Sequence, residues 1–347
     1  MLLYDSAYTM IGLVYSALLP EVTESDAERN SLQISSSLFG LLGMILGFVI
    51  PEMFRPGVDS SPSLLPLRLA MIAVGIFGAT MIILTTLKVK ERPEFYLLDK
   101  PLKLGPALKY TFTSRSFLIL VAQNFMSILM QALLLGTIFY VADYVLQINS
   151  MILIACLFIP LIVGVPITNL LRKRLGVVGA QQLLLVIAGI ALLLIVVVPE
   201  QLILLCLAVA GFGLAGPQTL TNVLFAQVAD EDELRSGVRR EGAFFGINAL
   251  LTKPAQSVAI ALIPFILESG RFVTREANQG KIFLNQSPAT IFGIKSLVGL
   301  IPGVAMLLGA IILIWYPLRG THLVEMQEKV LDLHQEKHAQ LKEQQQG

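Results

Sequence analysis

Apolar residues gather in nine long stretches, at roughly 2–20, 31–53, 64–88, 116–146, 150–171, 178–199, 201–228, 242–268 and 291–316. Each is about as long as the roughly 20 helical residues that cross a 30 Å hydrocarbon core. Lipid offers the backbone no hydrogen-bond partners, so an apolar run of this length is stable there only as a helix. The pattern therefore predicts nine membrane-spanning helices and an all-α membrane protein. Composition agrees: 55% of residues are hydrophobic and 14% charged, with mean hydropathy +0.75, well outside the range of soluble domains.

Basic residues fall in alternate gaps. With the loop after the first stretch on the cytoplasmic side, that side holds 18 of the 25 Lys and Arg, among them Arg29, Lys103, Arg172 and Arg239. The opposite side holds 5, such as Arg55 and Arg271. This asymmetry orients the chain with its C-terminus in the cytoplasm. An odd number of crossings then places Met1 outside, with no basic flank and no cleavable signal pattern. The first helix reads as though the chain starts in the middle of a fold, which leads us to expect an N-terminal segment that is missing or separately encoded.

Organisation follows from the gaps. Three stretches, residues 1–88, precede a basic central loop at 89–115 punctuated by Pro93, Pro101, Gly105 and Pro106. Six stretches follow, over 116–318, ahead of a polar tail at 319–347. A six-helix block behind a basic loop is the layout of one half of a major facilitator transporter. In the tail, Leu323, Met326, Val330 and Leu333 recur at helical spacing, which predicts an amphipathic helix lying on the membrane or against the cytoplasmic face.

Enzyme chemistry has little support, since no His, Cys, Asp or Glu constellation stands at ligand or triad spacing. No metal site is expected. Cys156 and Cys206 sit in apolar helix text and read as buried small hydrophobes. The histidines, His322, His334 and His338, lie in the tail without ligand-spaced partners. A net charge of +1 suggests no nucleic-acid partner. Gly211, Gly213 and Gly216 spell GxGxxG, but inside an apolar span and before Pro217 they predict close helix packing and a kink, not a dinucleotide site. Gly40, Gly43, Gly47, Gly75 and Gly78 also read as packing positions.

Two loops carry acids followed by arginine, PEVTESDAERN after the first stretch and ADEDELRSGVRREG after the seventh. Glu28 and Arg29 on one side, with Asp232, Glu233, Arg235, Arg239, Arg240 and Glu241 on the other, are expected to meet and close the cytoplasmic side as a gate. Lys253 is the sharpest single signal. An ammonium in mid-span costs roughly 2.5–3.5 kcal/mol on insertion scales, so it is expected to face a polar cavity with a partner. Candidate companions are Asn248 and Gln256 on its own helix and Asp5, in a stripe with Tyr8, Gly12 and Tyr15. Asn124 and Gln131, with Ser127, form another polar face, as do Gln218, Thr221 and Asn222.

The run YxxxxxxYSALLPEVTxxxxERxxL, Tyr8 to Leu32, resembles the fourth helix and following loop of the glycoside–pentoside–hexuronide:cation symporters of the major facilitator superfamily. GVRREGAFFGINALLTK, 237–253, resembles that family's loop between its tenth and eleventh helices together with its eleventh-helix lysine. The resemblance implies helices four to twelve of a twelve-helix major facilitator fold, with the first three absent. It implies binding of a small-molecule solute, a sugar or glycoside, by Lys253, Asn248 and Tyr8, in symport with Na⁺ or H⁺ and with no other cofactor, in a lipid membrane such as the cell inner membrane. The chain departs from the pattern at Gly12, where the family has a cation-binding aspartate, and at Ser37, where it has a sugar-contacting arginine. Both changes suit a lipid or lysolipid substrate on the same fold; a membrane fragment that does not transport is the other alternative.

Orientation is directly testable. An impermeant thiol reagent applied outside intact cells is expected to modify a cysteine placed at Ser60 or Gln279 and to spare one at Lys103. Labelling at Lys103 reverses the topology.

Overall fold

The computed structural model describes residues 25–53, 65–88, 111–237, 241–274 and 283–346, with isolated positions at 7, 9–12, 14, 15, 22 and 277. Most of the first stretch, including Asp5 and Tyr8, and the central loop from 89 to 110 lie outside the described residues, as do Arg239 and Arg240.

The described chain folds into helices α1 (Asp26–Met53), α2 (Leu65–Lys88), α3 (Arg115–Tyr140, continuing as a π-helix over Val141–Leu146), α4 (Ser150–Val197) and α5 (Glu200–Ser236). These are followed by α6 (Glu241–Ser269), α7 (Pro288–Lys295), α8 (Ile301–Ile312) and the tail helix α9 (Gly320–Gln346); α7 and α8 are joined by a π-helical turn into one span that ends at Trp315. Among the described residues, seven helices are long and apolar enough to cross a membrane. At 48 residues, α4 would measure about 72 Å if straight, more than two hydrocarbon thicknesses. It is broken at Gly176, where φ is 73° and ψ 169°, a conformation open to glycine and strained for other residues. The break falls between the two stretches predicted at 150–171 and 178–199.

The two limbs of α4 lie side by side on α5. A Cβ on Gly211 would sit 2.1 Å from the carbonyl oxygen of Leu157, and one on Gly213 would sit 2.6 Å from the amide nitrogen of Ala188. In an unbroken helix Leu157 and Ala188 would stand about 45 Å apart, so the chain must reverse at Gly176. Gly216 comes within the same kind of distance of Leu184. GxGxxG is thus a packing surface that lets α5 seat its backbone against both limbs, as small residues do in membranes. Gly164 and Gly303 make comparable approaches to α5 and to the second limb of α4. The glycines of α1 and α2 differ: Gly40, Gly43, Gly47, Gly75 and Gly78 have nothing within 4 Å among the described residues, so the packing expected of them is absent there. α2 has no buried residue.

Ser114 caps α3 by accepting from the Phe117 amide, Asn149 caps α4 through Met151, and Ser287 caps α7 through Thr290. Each satisfies an amide that the helix start leaves without a partner. Tail helix α9 packs on α5, burying Met326 and Val330. The tail's amphipathic stripe therefore rests on protein.

Gly211 gives a sharp test. Gly211→Ala drives a methyl into backbone and is expected to cost about 1–3 kcal/mol by overpacking, whereas Gly78→Ala is expected to be neutral. Thermal unfolding of the detergent-purified variants reads the difference.

Candidate functional site: a seam and an enclosed cavity between the chain's two parts

One stripe of α1 makes its contacts with the later helices. Arg29, Gln33, Ser37, Leu41, Met44 and Phe48 recur every three or four residues and so share a helix face. The first three are polar. Arg29, 1% exposed, grips the carboxylate of Asp230 with both terminal nitrogens, NH1 to Oδ2 and NH2 to Oδ1, the latter at 3.1 Å. Asn30 donates to Asn169 Oδ1 at 3.2 Å, and Arg172 donates to the same oxygen at 3.4 Å. Gln33 receives the Asn222 amide at 3.3 Å and donates to Ser37 at 3.3 Å. Ser37 in turn donates to the Gln218 carbonyl at 3.0 Å. Residues 218, 222 and 230 descend α5 as 37, 33 and 29 ascend toward the start of α1, so the two helices run antiparallel along a continuous polar seam.

Past Ser37 the stripe turns apolar and a partly open space begins. A cavity of about 80 Å³ lies among α1, α3, α4 and α5. Leu41, Met44, Phe158 and Leu214 form apolar walls, and Asn124, Ser127, Gln131 and Gln218 bring polar groups. Beyond it Phe48 packs on Phe139 and Phe158 with ring centroids 5.9 and 6.0 Å away. Polar contacts lie toward one end and aromatic rings toward the other. Small-molecule sites generally measure about 300–1,000 Å³, so the space is contracted, with room for water only.

The residues singled out in the sequence divide. Asn124, Ser127, Gln131 and Gln218 line the cavity. Asn248 reaches its edge, accepting from Asn124 at 3.1 Å. Thr221 turns away to Gln181 at 3.3 Å. Lys253 stands apart from the cavity lining; it is exposed and donates to Thr9 Oγ1, in the first stretch, at 2.7 Å. Five residues separate it from Asn248, a rotation of about 140° around the helix, which explains why the two point to different neighbours. Gln256, one turn further, is exposed. In the expected gate, Arg29 meets Asp230, a carboxylate of the same acidic run but not one of those expected from the sequence. Asp232 is buried, while Glu28 and Arg235 are exposed. Glu241 opens α6, its side chain outside the described residues.

Glu233 is expected in the gate, and the structure gives it different partners. Wholly buried, it receives His334 Nε2 at 3.0 Å and Lys337 Nζ at 2.9 Å from α9. The histidine that has no ligand-spaced partner in the sequence thus has one in space. The tail's stripe carries the signal: His334 and Lys337 continue Met326 and Val330 at four- and three-residue steps. Among the described residues no group of three His, Cys, Asp or Glu is arranged to hold a metal ion.

The family model described as MFS/sugar transport protein matches residues 1–320. The chain belongs to the MFS/sugar transport protein family. Relatives include the isoprimeverose transporter of Lactiplantibacillus pentosus, 23% identical over 97% of this chain and 69% of its own length. An uncharacterised symporter of Synechocystis is 31% identical over 33% of this chain and 21% of its own length, and a glucuronide carrier protein homologue of Escherichia coli K12 is 28% identical over 35% and 25%. The chain spans only part of the length of these relatives. Family and relatives are transporters, not enzymes, and membership agrees with the all-α, multi-pass membrane architecture and with the symporter resemblance of the two motifs.

Removing one partner of a buried ion pair leaves the other charge uncompensated, at about 3–5 kcal/mol. Arg29→Ala and Asp230→Ala are each expected to destabilise the purified protein by that order, and the double variant by clearly less than their sum. Additive losses in chemical unfolding would show that the two residues do not act as a pair.

Proposed function

We propose that this chain is a secondary active transporter that moves a sugar or glycoside together with Na⁺ or H⁺ by alternating access, and that the α1–α5 seam is its cytoplasmic gate in the closed state. One observation carries the reading: a buried, bidentate Arg29–Asp230 pair 201 positions apart ties early and late helices together about 18 Å along α1 and α5 from a contracted space. Family membership supports transport, and similarity to the isoprimeverose transporter supports a sugar. The polar groups of the cavity, Asn124, Ser127, Gln131 and Gln218, supply amide and hydroxyl partners of the kind sugar hydroxyls take, and Phe48, Phe139 and Phe158 supply apolar ring faces. Opening the halves widens this space toward one side at a time. Lys253, on α6 and bonded to the first stretch, places a fixed positive charge between early and late helices, where it couples a cation's arrival to the approach of the halves.

The apolar walls favour a second reading, a lipid or lysolipid substrate, which also accords with Gly12 and Ser37. Uptake by proteoliposomes decides between them. Radiolabelled pentosides and glycosides are expected to accumulate under an inward Na⁺ or H⁺ gradient, and Lys253→Ala is expected to abolish accumulation, with Lys253→Arg failing too because a planar fork does not replace a compact ammonium. Lysolipid movement without sugar uptake would favour the second reading. Uptake of neither would favour the non-transporting alternative. Full accumulation by Lys253→Ala would remove that residue from the mechanism.

A further inference from the structure

The end of α5 is electrostatically unfavourable by itself. Asp230, Glu231, Asp232 and Glu233 crowd its last two turns, and Arg235 is the one base of the final turn. Carbonyl groups make a helix C-terminus the negative end of the dipole, so acids there repel it and one another. Yet Asp230, Asp232 and Glu233 are only 3, 2 and 0% exposed. Cations from other elements offset this charge. Arg29 comes from α1. Two more among the described residues come from α9, where the stripe that seats Met326 and Val330 carries His334 and Lys337, 5 and 7% exposed, onto the two oxygens of Glu233. Lysine is almost never buried unless paired, and here its partner is this carboxylate. Glu233 also fixes the helix end through its backbone, its carbonyl accepting from Gly237 at 2.8 Å. It stands three residues, less than one turn, from Asp230 and on the same side of α5.

We propose that α9 is a latch for the seam: His334 and Lys337, through Glu233, hold the acidic end of α5 helical and in register, so that Asp230 is presented to Arg29. Both are positioning residues that act on the gate through α5. The inference rests on the reading of the seam as a gate. Because α9 packs on α5, it travels with that helix; its grip decides whether Asp230 is in place when the halves come together again. The tail's release, by truncation or by competition for Glu233, loosens the gate from a distance of two helices without touching the cavity.

The test uses the full chain in lipid nanodiscs, with Cys156 and Cys206 replaced by Ala and a single reporter thiol, Ser37→Cys, inside the seam. Its rate of alkylation by a maleimide measures how often water enters the gate. Combined His334→Gln and Lys337→Gln is expected to raise that rate about fivefold or more, the lower end of coupling between distinct sites. Lys337→Arg is expected to keep the parent rate, and Glu233→Lys combined with Lys337→Glu is expected to restore it after Lys337→Glu alone has raised it. That rescue by exchanged charges would not follow from simple loss of packing, and its failure overturns the latch. Asp230→Asn separates the two ideas. If it raises alkylation while the tail variants do not, the gate stands and the latch is wrong. If Asp230→Asn leaves the reporter thiol protected, the gate reading itself falls.

Discussion

A guanidinium removed from water must be matched, and the structure is organised around that requirement at Arg29. Its side chain is almost wholly buried and its carboxylate partner lies 201 positions away. Neither group is tolerable at this depth without the other. Burial of Arg29 therefore sets the rotation of α1 about its axis, and the rest of that helix face follows at fixed spacing: Gln33 to Asn222, Ser37 to the Gln218 carbonyl, Leu41 and Met44 to the cavity, Phe48 to its aromatic neighbours. One polar contact fixes the register, and side chains from both parts of the chain then enclose a common space.

α5 is the helix on which these contacts converge. Gly211, Gly213 and Gly216 remove side chains where both limbs of α4 approach, so α5 seats its backbone directly against both. In lipid, apolar burial gives little drive for helix association, and close backbone packing takes its place. The same helix leaves its seam face to α1 and its acidic end to α9. Packing, gating contacts and tail docking are thus three faces of one element, and a shift of α5 moves all three together.

Much of this was legible in the sequence because lipid imposes simple rules. Span lengths follow from membrane thickness, and each described stretch became a helix; but α1 starts at Asp26 and α5 runs on to Ser236, so Arg29 and the acids from Asp230 to Glu233, expected in loops, lie in helix. The turn at Gly176 fell where a basic tripeptide, Arg172 to Arg174, separated two apolar runs. GxGxxG was legible as packing because no soluble phosphate site fits inside an apolar span. The meeting of the two acid–arginine loops was also legible in outline, but the acid that receives Arg29 was not. Successive residues on a helix point about 100° apart, and four acids in a row cover the whole circumference. Only the packing of α5 against α4 selects Asp230 for the seam and Glu233 for the tail. Asn248 and Lys253 show the same limit, since depth in the span suggested a shared cavity while the phase of α6 sent one to Asn124 and the other to Thr9. The place of His334 on the tail's buried stripe was legible, but its partner lies 101 positions upstream, and nothing in the tail identifies so distant a carboxylate.

If the seam is the gate proposed above, it has a further property that follows from solvation. If Arg29 and Asp230 were separated inside a dry interior, each would keep an unmatched charge and opening would be prohibitive. Parting of the halves instead admits water to both groups, so the Coulombic attraction lost is offset by hydration regained, and the net value of such a pair stays small. The amides and hydroxyls of the seam exchange protein partners for water on similar terms. By contrast the Phe48 cluster exposes ring surface when it opens, a cost of about 25 cal/mol for each Å² wetted. The two ends of the cavity therefore respond to different influences. The polar end depends on charge balance, including the cations that α9 contributes to the end of α5, whereas the aromatic end depends on apolar contact with whatever occupies the cavity. In the transporter proposed here, two ends of opposite chemistry, set by one stripe of α1, would let the cavity open at one end while the other stays shut.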